Sequence, residues 1–370
     1  MITYFTSESV ASGHPDKICD QISDAVVDSA ISFDPDSRVA VETLVTANHV
    51  VMAGEVTCLT KLDYDSIARN VIKNLGYTSD LYNFSYKSPI DIFIHEQSRD
   101  IAVGVNGGGA GDQGMMFGFA CNETPELMPM PIILAHRLTE KMDQARIKGD
   151  MPFLRPDGKS EIKVLYLDNM PTGIEQIILA VPHDPSVSNS ELKESLIENI
   201  ITPICEIYKM KIPDTENIIV NGTGKWEIGG PASDTGVTGR KIMVDTYGSY
   251  ARHGGGAFSG KDCTKIDRSG AYAARYIAKN IVAAGLADKV EIRLAYVIGH
   301  RDPIDMGIEL FGTEHESMET IEKYALSLLD LSVPGIIDGL GLRHPIYFKT
   351  ACDGHFGRDS FPWEQIKKNG

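Results

Sequence analysis

The 370-residue sequence has no paired cysteine motif, no apolar run of membrane-spanning length and no surplus of positive charge. Its six cysteines, Cys19, Cys58, Cys121, Cys205, Cys263 and Cys352, are scattered, with no Cys-x-x-Cys and no histidine at zinc spacing. That excludes a disulfide framework or zinc ribbon and suits reduced thiols used for packing. The first residues, MITYFTSESV, lack a basic segment followed by an apolar one, so the expectation is a soluble, cytoplasmic protein. A formal net charge of −16 makes nucleic acid and anionic membranes poor general partners. One hydroxyl is also missing. Gly255 to Lys261 satisfies G-x-x-x-x-G-K, but the next residue is Asp262, where a P-loop needs Ser or Thr for magnesium. A P-loop NTPase is therefore disfavoured.

What the sequence does have is a concentrated anion-binding vocabulary. Residues 252–267, RHGGGAFSGKDCTKID, join three consecutive glycines to Lys261 and Lys265. Glycines let backbone N–H groups approach phosphate oxygens, and lysines supply compact positive charge. Between Arg240 and Asn280 there are eight Lys or Arg against three Asp, a local +5, which leaves −21 for the rest of the chain. An acidic protein with one basic island points to a small anionic ligand, and a triphosphate with its metal fits.

At this length two or three domains are expected. From Pro15 the pattern is helical, with Ile18, Ile22, Val26 and Ala30 on one face and Asp16, Asp20, Asp24 and Asp28 in a second row. Like charges at i,i+4 are mildly destabilising, so most of that row is expected to be a solvated face. Two strands follow within 38–60, a helix ends at Gly76, and IDIFI forms a strand. The same order returns as a helix from Pro131 to Gly149, strands at 161–167 and 174–181, a helix at 190–209 and a strand at 217–221. It returns again as a helix from Arg268 to Gly285, strands at 289–299 and 304–311, a helix at 316–330 and the segment HPIYFK. The expected fold is thus α+β, with three similar units of helix, two strands, helix and strand over 1–105, 106–230 and 231–370. Glycine-rich connectors lie at 104–114, read as a mobile lid, and at 221–241, where Trp226 could stack on a flat heterocycle.

GHPDK at 13–17, GAGDQG at 109–114 and GGGAFSGKD at 254–262 together resemble the S-adenosylmethionine synthetase (methionine adenosyltransferase) family. The likeness runs end to end through TSESV, RPDGK, TGRKIMVDTYG, KNIVAAGLA and HPIY. It implies attack of methionine sulfur on C5′ of ATP, release of triphosphate, and its hydrolysis to phosphate and diphosphate. It also implies three units around a pseudo-threefold axis, two Mg2+, K+, and a homodimer or dimer of dimers with interfacial sites. Another ATP-dependent transferase or kinase, or a non-catalytic nucleotide-binding homologue, is the alternative reading.

By the same resemblance, His14, Lys159, Arg240, Lys261 and Lys265 are the catalytic group. His14, Asp157, Lys159, Lys225, Trp226, Asp234, Arg240, Lys241, Ala257, Lys261 and Ile298 match ATP positions. Glu55, Gln97, Asp112, Asp234 and Lys265 match methionine positions, with Glu55 and Gln97 expected across a subunit interface from the ATP groups. Asp16 and Asp267 match magnesium ligands, and Glu42 matches a potassium ligand. A helix-capping role competes for His14 and Asp267, and a turn-forming role for Asp112. Gly222 and Arg99 stand where the family has proline, and the lid is short and lacks acidic residues, which bears on lid closure and product release.

Overall fold

The computed structural model describes residues 1–96 and 108–367. The first segment runs β1 (Ile2–Val10), α1 (Pro15–Phe33), β2 (Arg38–Thr46), β3 (His49–Thr57), α2 (Tyr64–Asn74) and β4 (Ile90–His95). The second runs β5 (Gly114–Cys121), α3 (Met130–Lys148), β6 (Lys159–Leu167), β7 (Met170–Ala180), α4 (Asn189–Leu196), a π turn at Ile197–Ile201, α5 (Thr202–Ile207) and β8 (Ile218–Val220). The third runs β9 (Gly236–Val237), α6 (Ile242–Asp245), α7 (Ile266–Ala283), β10 (Lys289–Tyr296), β11 (Asp305–Glu309), α8 (Met318–Leu328) and α9 (Val333–Gly339).

Three sheets result, ordered β9-β2-β3-β4, β1-β6-β7-β8 and β5-β10-β11. Each is built on an antiparallel hairpin. In the first two a later strand joins parallel to the second hairpin strand. The remaining strand of each sheet comes from a different segment. β1 pairs with β6 from Ile2↔Leu167 to Val10↔Lys159, β5 pairs with β10, and β9 pairs with β2 through Leu44 and Val45. The first unit thus lends its leading strand to the second, the second to the third, and the third to the first. This closed exchange gives the pseudo-threefold arrangement its physical form. The main helices α1, α3 and α7 cover β2, β6 and β10 respectively. In β2 and β3, period-two alternation puts Val39, Val41, Val45, Val50 and Met52 against the core and leaves Glu42 and Glu55 on the other face.

Three features depart from expectation. β1 and β5 are strands that the periodicity does not announce; MMFGFAC in β5 is a continuous apolar run, which cannot by itself be told from a buried helix. HPIYFK supplies no third-sheet strand. Residues Phe348–Thr350 form a single 3-10 turn because the N–H groups of Tyr347 and Phe348 both donate to the carboxylate of Asp28, at 2.9 Å each. The aspartate row of α1 is not a solvated face. Asp16, Asp20 and Asp24 are buried, and Asp28 is partly so.

Each aspartate of that row is answered, chiefly by the third segment. Asp16 accepts from Val237 N–H at 3.0 Å and Lys241 Nζ at 2.6 Å. Asp20 accepts from Gly239 N–H at 2.8 Å and Lys17 Nζ at 2.9 Å. Asp24 accepts from Gly260 N–H at 2.8 Å and takes the Arg268 guanidinium in a two-pronged pair at 2.7 and 2.8 Å, both side chains fully buried. The repulsion expected of the row is offset by Lys17 within the helix and by partners that arrive from more than 200 residues away. Removing one partner of a buried ion pair strands the other charge, so Asp24→Ala should cost ~3–5 kcal/mol. Chemical denaturation measures this, and an unchanged midpoint would show that Arg268 does not depend on Asp24.

Candidate active site

His14 terminates the β1–α1 connection as the N-cap of α1, its Nδ1 accepting the Asp16 N–H at 3.2 Å. Capping therefore uses one ring nitrogen and leaves the other, Nε2, buried without a hydrogen-bond partner among the described residues. Burial, followed by the nearby charges of Lys241 and Lys159, lowers the imidazole pKa to about 3. His14 is consequently neutral near pH 7. With Nδ1 acting as acceptor, the ring proton lies on Nε2, which is a free donor. Beside it, burial works against the charge of Asp16, but Lys241 and the Val237 N–H outweigh burial and hold the carboxyl below its usual range. Arg240 is exposed, with Nε 3.9 Å from the same carboxylate.

The glycine–lysine stretch lies along β2 beyond the end of β9. Val41 N–H donates to Gly260 O at 3.0 Å, Asp262 N–H donates to Val39 O at 3.2 Å, and Lys261 bridges Ala40. Gly260 is required here: φ is +81°, and a Cβ would lie 2.0 Å from the Val41 carbonyl oxygen. Lys261 extends from this anchored backbone to Asp267 at 2.6 Å. Asp267 is inside the first turn of α7 and Lys265 is the N-cap residue, so Asp267 is not itself the cap. Asp262, which takes the P-loop hydroxyl position, is buried; it accepts Val39 N–H at 2.7 Å and pairs with Lys265. A structural carboxylate thus replaces the P-loop's metal-binding hydroxyl.

A cavity of about 350 Å³ opens beside this loop, lined by Glu42, Glu55, Ala257, Gly260 and Lys261 among others. Ala40↔Glu55 and Glu42↔Ala53 are directly opposed across β2 and β3, which puts both glutamates on the cavity side of the sheet. The second group, His14, Asp16, Arg240 and Lys241, lies at the start of α1. The two loops meet where a Cβ on Gly239 would lie 2.5 Å from the Ala257 Cβ. Among the described residues no group of three or more His, Cys, Asp or Glu could cage a metal. Single carboxylates beside lysines instead suit a hard cation that takes its remaining ligands from phosphate oxygens and water.

This chain matches family models described as S-adenosylmethionine synthetase N-terminal domain over residues 2–99, central domain over 107–226 and C-terminal domain over 228–365. The chain belongs to the S-adenosylmethionine synthetase family. It is 50% identical to the S-adenosylmethionine synthase of a Sulfurovum species, with 98% of this chain and 96% of that protein covered. It is 47% identical to the synthase of Mesoplasma florum and 50% identical to that of a Nitratiruptor species, with 98% of this chain covered in both cases and 97% and 96% of those proteins respectively.

The other positions that the synthetase resemblance singles out are spread over four loops. Asp157 is buried and ties RPDGK to the 221–241 connector, accepting N–H bonds from Gly158 and Gly230 at 2.7 Å each. Burial raises its pKa to about 6 despite those two bonds. Lys159 opens β6 and is half-buried. Trp226 is half-buried, its indole N–H bonded to Ile228 O at 2.9 Å and its carbonyl accepting from His183 N–H. Lys225 and Asp234 are exposed nearby. Ile298 sits in the turn whose Gly299 and His300 pair with Ala110 of GAGDQG. Asp112 is exposed and accepts the Gln113 N–H, as a turn former would. Glu55 has His95 Nε2 at 3.4 Å. Gln97, Arg99 and the lid to residue 107 lie outside the described residues.

Sequence reasoning missed the buried carboxylates Asp20, Asp24 and Asp262 that brace the lysine-bearing loops; the only signal was the regular i,i+4 spacing of the α1 row. Gly260→Ala tests the bracing. The substitution should push β2 and the Lys261 loop apart, lowering activity at least ~100-fold, and thermal unfolding should occur at a lower temperature. Wild-type values of both would show that the close approach to Val41 is not required.

Proposed function

We propose that this protein makes S-adenosylmethionine from ATP and L-methionine, the methionine sulfur attacking C5′ of ATP and displacing the whole triphosphate, which is then hydrolysed to phosphate and diphosphate. The observation that carries this is the pairing of three candidate cations with carboxylates: Lys241 with Asp16, Lys261 with Asp267 and Lys265 with Asp262. A basic loop held against acidic residues is charge-balanced when empty. It offers lysines to an incoming polyanion and, in the same exchange, frees Asp16 and Asp267.

The chemistry needs positioning and charge stabilisation more than proton transfer. Sulfur becomes cationic as the leaving triphosphate gains charge, so fixed cations at the triphosphate end lower the barrier. Lys159, Arg240, Lys241 and Lys261 fill that role. His14, neutral and with Nε2–H unpartnered, donates to an oxygen beside the breaking C5′ bond. Glu55, Asp112, Asp234, Lys265 and Gln97 hold methionine, Trp226 lies against adenine, and Asp157 fixes the loop between them. Asp16 and Asp267 are the candidate holders of Mg2+ and Glu42 of K+; bound cations would neutralise phosphate charge. The two charged groups described above are taken to be completed across a homodimer, or a dimer of dimers, in the cytoplasm. This is supported by the cavity side of β2 and β3, which leaves Glu42 exposed beside Ala53, and by the exposed Phe93 on the neighbouring β4.

The purified protein incubated with ATP, methionine, magnesium and potassium should form S-adenosylmethionine, phosphate and diphosphate in equal amounts, dependent on methionine. Mass spectrometry and phosphate assays measure this, and ADP with phosphate but no adenosyl product would contradict the proposal. In Lys261→Ala the turnover should fall ~100- to 1,000-fold, as for loss of one positioned charge-stabilising donor, with little loss of folding stability because Lys261 is partly exposed. Unchanged turnover would remove it from the site.

A further inference from the structure

We infer that Asp20 is a positioning residue for triphosphate binding, holding the turn that carries Arg240 and Lys241 at a distance set by the pitch of α1. This rests on the triphosphate reading above. Asp20 is fully buried; Oδ1 accepts the Gly239 N–H at 2.8 Å, and Oδ2 takes Lys17 Nζ at 2.9 Å. Lys17 is braced in turn by Asp245, whose own N–H donates to Lys241 O at 2.8 Å. Gly239 is held in the left-handed region, φ +78°, with Ala257 of the glycine–lysine loop packed where its side chain would be. The turn is therefore fixed from three sides, by the helix, by its own following segment and by the neighbouring loop.

The spacing is what makes this more than a buried ion pair. Asp16, Asp20 and Asp24 are separated by four residues each, about 6 Å of helix rise, and they hold the N–H groups of Val237, Gly239 and Gly260 respectively. One rigid helix thus spaces the two loops that carry Arg240, Lys241 and Lys261. Asp16 is itself a candidate ligand-contacting group, and Asp24 is committed to the buried Arg268. Asp20 is the member of the row whose removal leaves a matched pair, Lys17 with Asp245, and it is therefore the place to separate positioning from folding.

Calorimetric titration with magnesium tripolyphosphate provides the test. The wild-type protein should bind it, and Asp20→Ala should weaken binding about tenfold, the worth of one hydrogen bond to a charged group. Asp20→Asn, which keeps an acceptor oxygen for Gly239, should restore affinity to within about threefold of wild type. Asp28→Asn, in the same row but bonded to Tyr347 and Phe348, should lose stability while binding tripolyphosphate as the wild type does. Equal affinities for Asp20→Ala and wild type, or equal losses for Asp20→Ala and Asp28→Asn, would overturn the inference. Should Asp20→Ala not fold, amide exchange in the wild type decides: the Gly239 N–H should be protected without ligand, and free-loop exchange overturns the proposal. Absence of binding to the wild type would overturn the triphosphate reading and this inference with it.

Discussion

The structure depends on a row of buried carboxylates along one helix. α1 presents Asp16, Asp20, Asp24 and Asp28 at helical repeat, and the third segment supplies nearly everything that answers them: the N–H groups of Val237, Gly239, Gly260, Tyr347 and Phe348, the amine of Lys241 and the guanidinium of Arg268. A buried carboxylate without partners would be costly. The first and third segments are therefore obliged to dock in one register, and the basic loops are fixed by that docking. β9 adds only two residue pairs to β2 and the 260–262 stretch extends that pairing along Val39 to Val41, so the aspartates and these strand contacts fix the junction together. At the opposite end of the third unit, Arg275 serves a similar purpose, its guanidinium bonded to Glu364 and to the carbonyls of Phe119, Glu126 and Leu127.

Function follows from the same docking. Lys241, Lys261 and Lys265 are each in hydrogen-bond contact with a carboxylate. On the proposed reading, those contacts preorganise the site for a polyanion, so that charge stabilisation at the leaving group requires little rearrangement of the backbone. His14, proposed to donate beside the reacting carbon, is kept neutral by burial and by Lys241 and Lys159. A reaction in which sulfur displaces a phosphate chain calls for a donor of that kind and for no general base.

Local features of this fold were legible in the sequence. Pro15 and Pro131 open helices, Gly149 closes one, and the hairpins follow from alternation. The circular exchange of β1, β5 and β9 was not legible, because β1 and β5 carry no pattern that announces a strand and a period-two pattern in any case does not name the partner strand. The burial of the aspartate row was hidden for a related reason: at i,i+4 it looks like a solvated face, and apart from Lys17 the residues that answer it lie more than 200 positions later. His14 shows a third limit. Capping and ligand contact look like rival roles along the chain, whereas in space capping uses Nδ1 and leaves Nε2 for the contact proposed above.

The most direct measurement is a crystal structure with magnesium tripolyphosphate bound. The expected result is that Lys241 and Lys261 have left Asp16 and Asp267 for phosphate oxygens, while Asp20 still holds Gly239 and Asp24 still holds Gly260. A complex in which the lysines remain on their carboxylates, or in which both loops have lifted away from α1, would contradict the view that this helix spaces the triphosphate site.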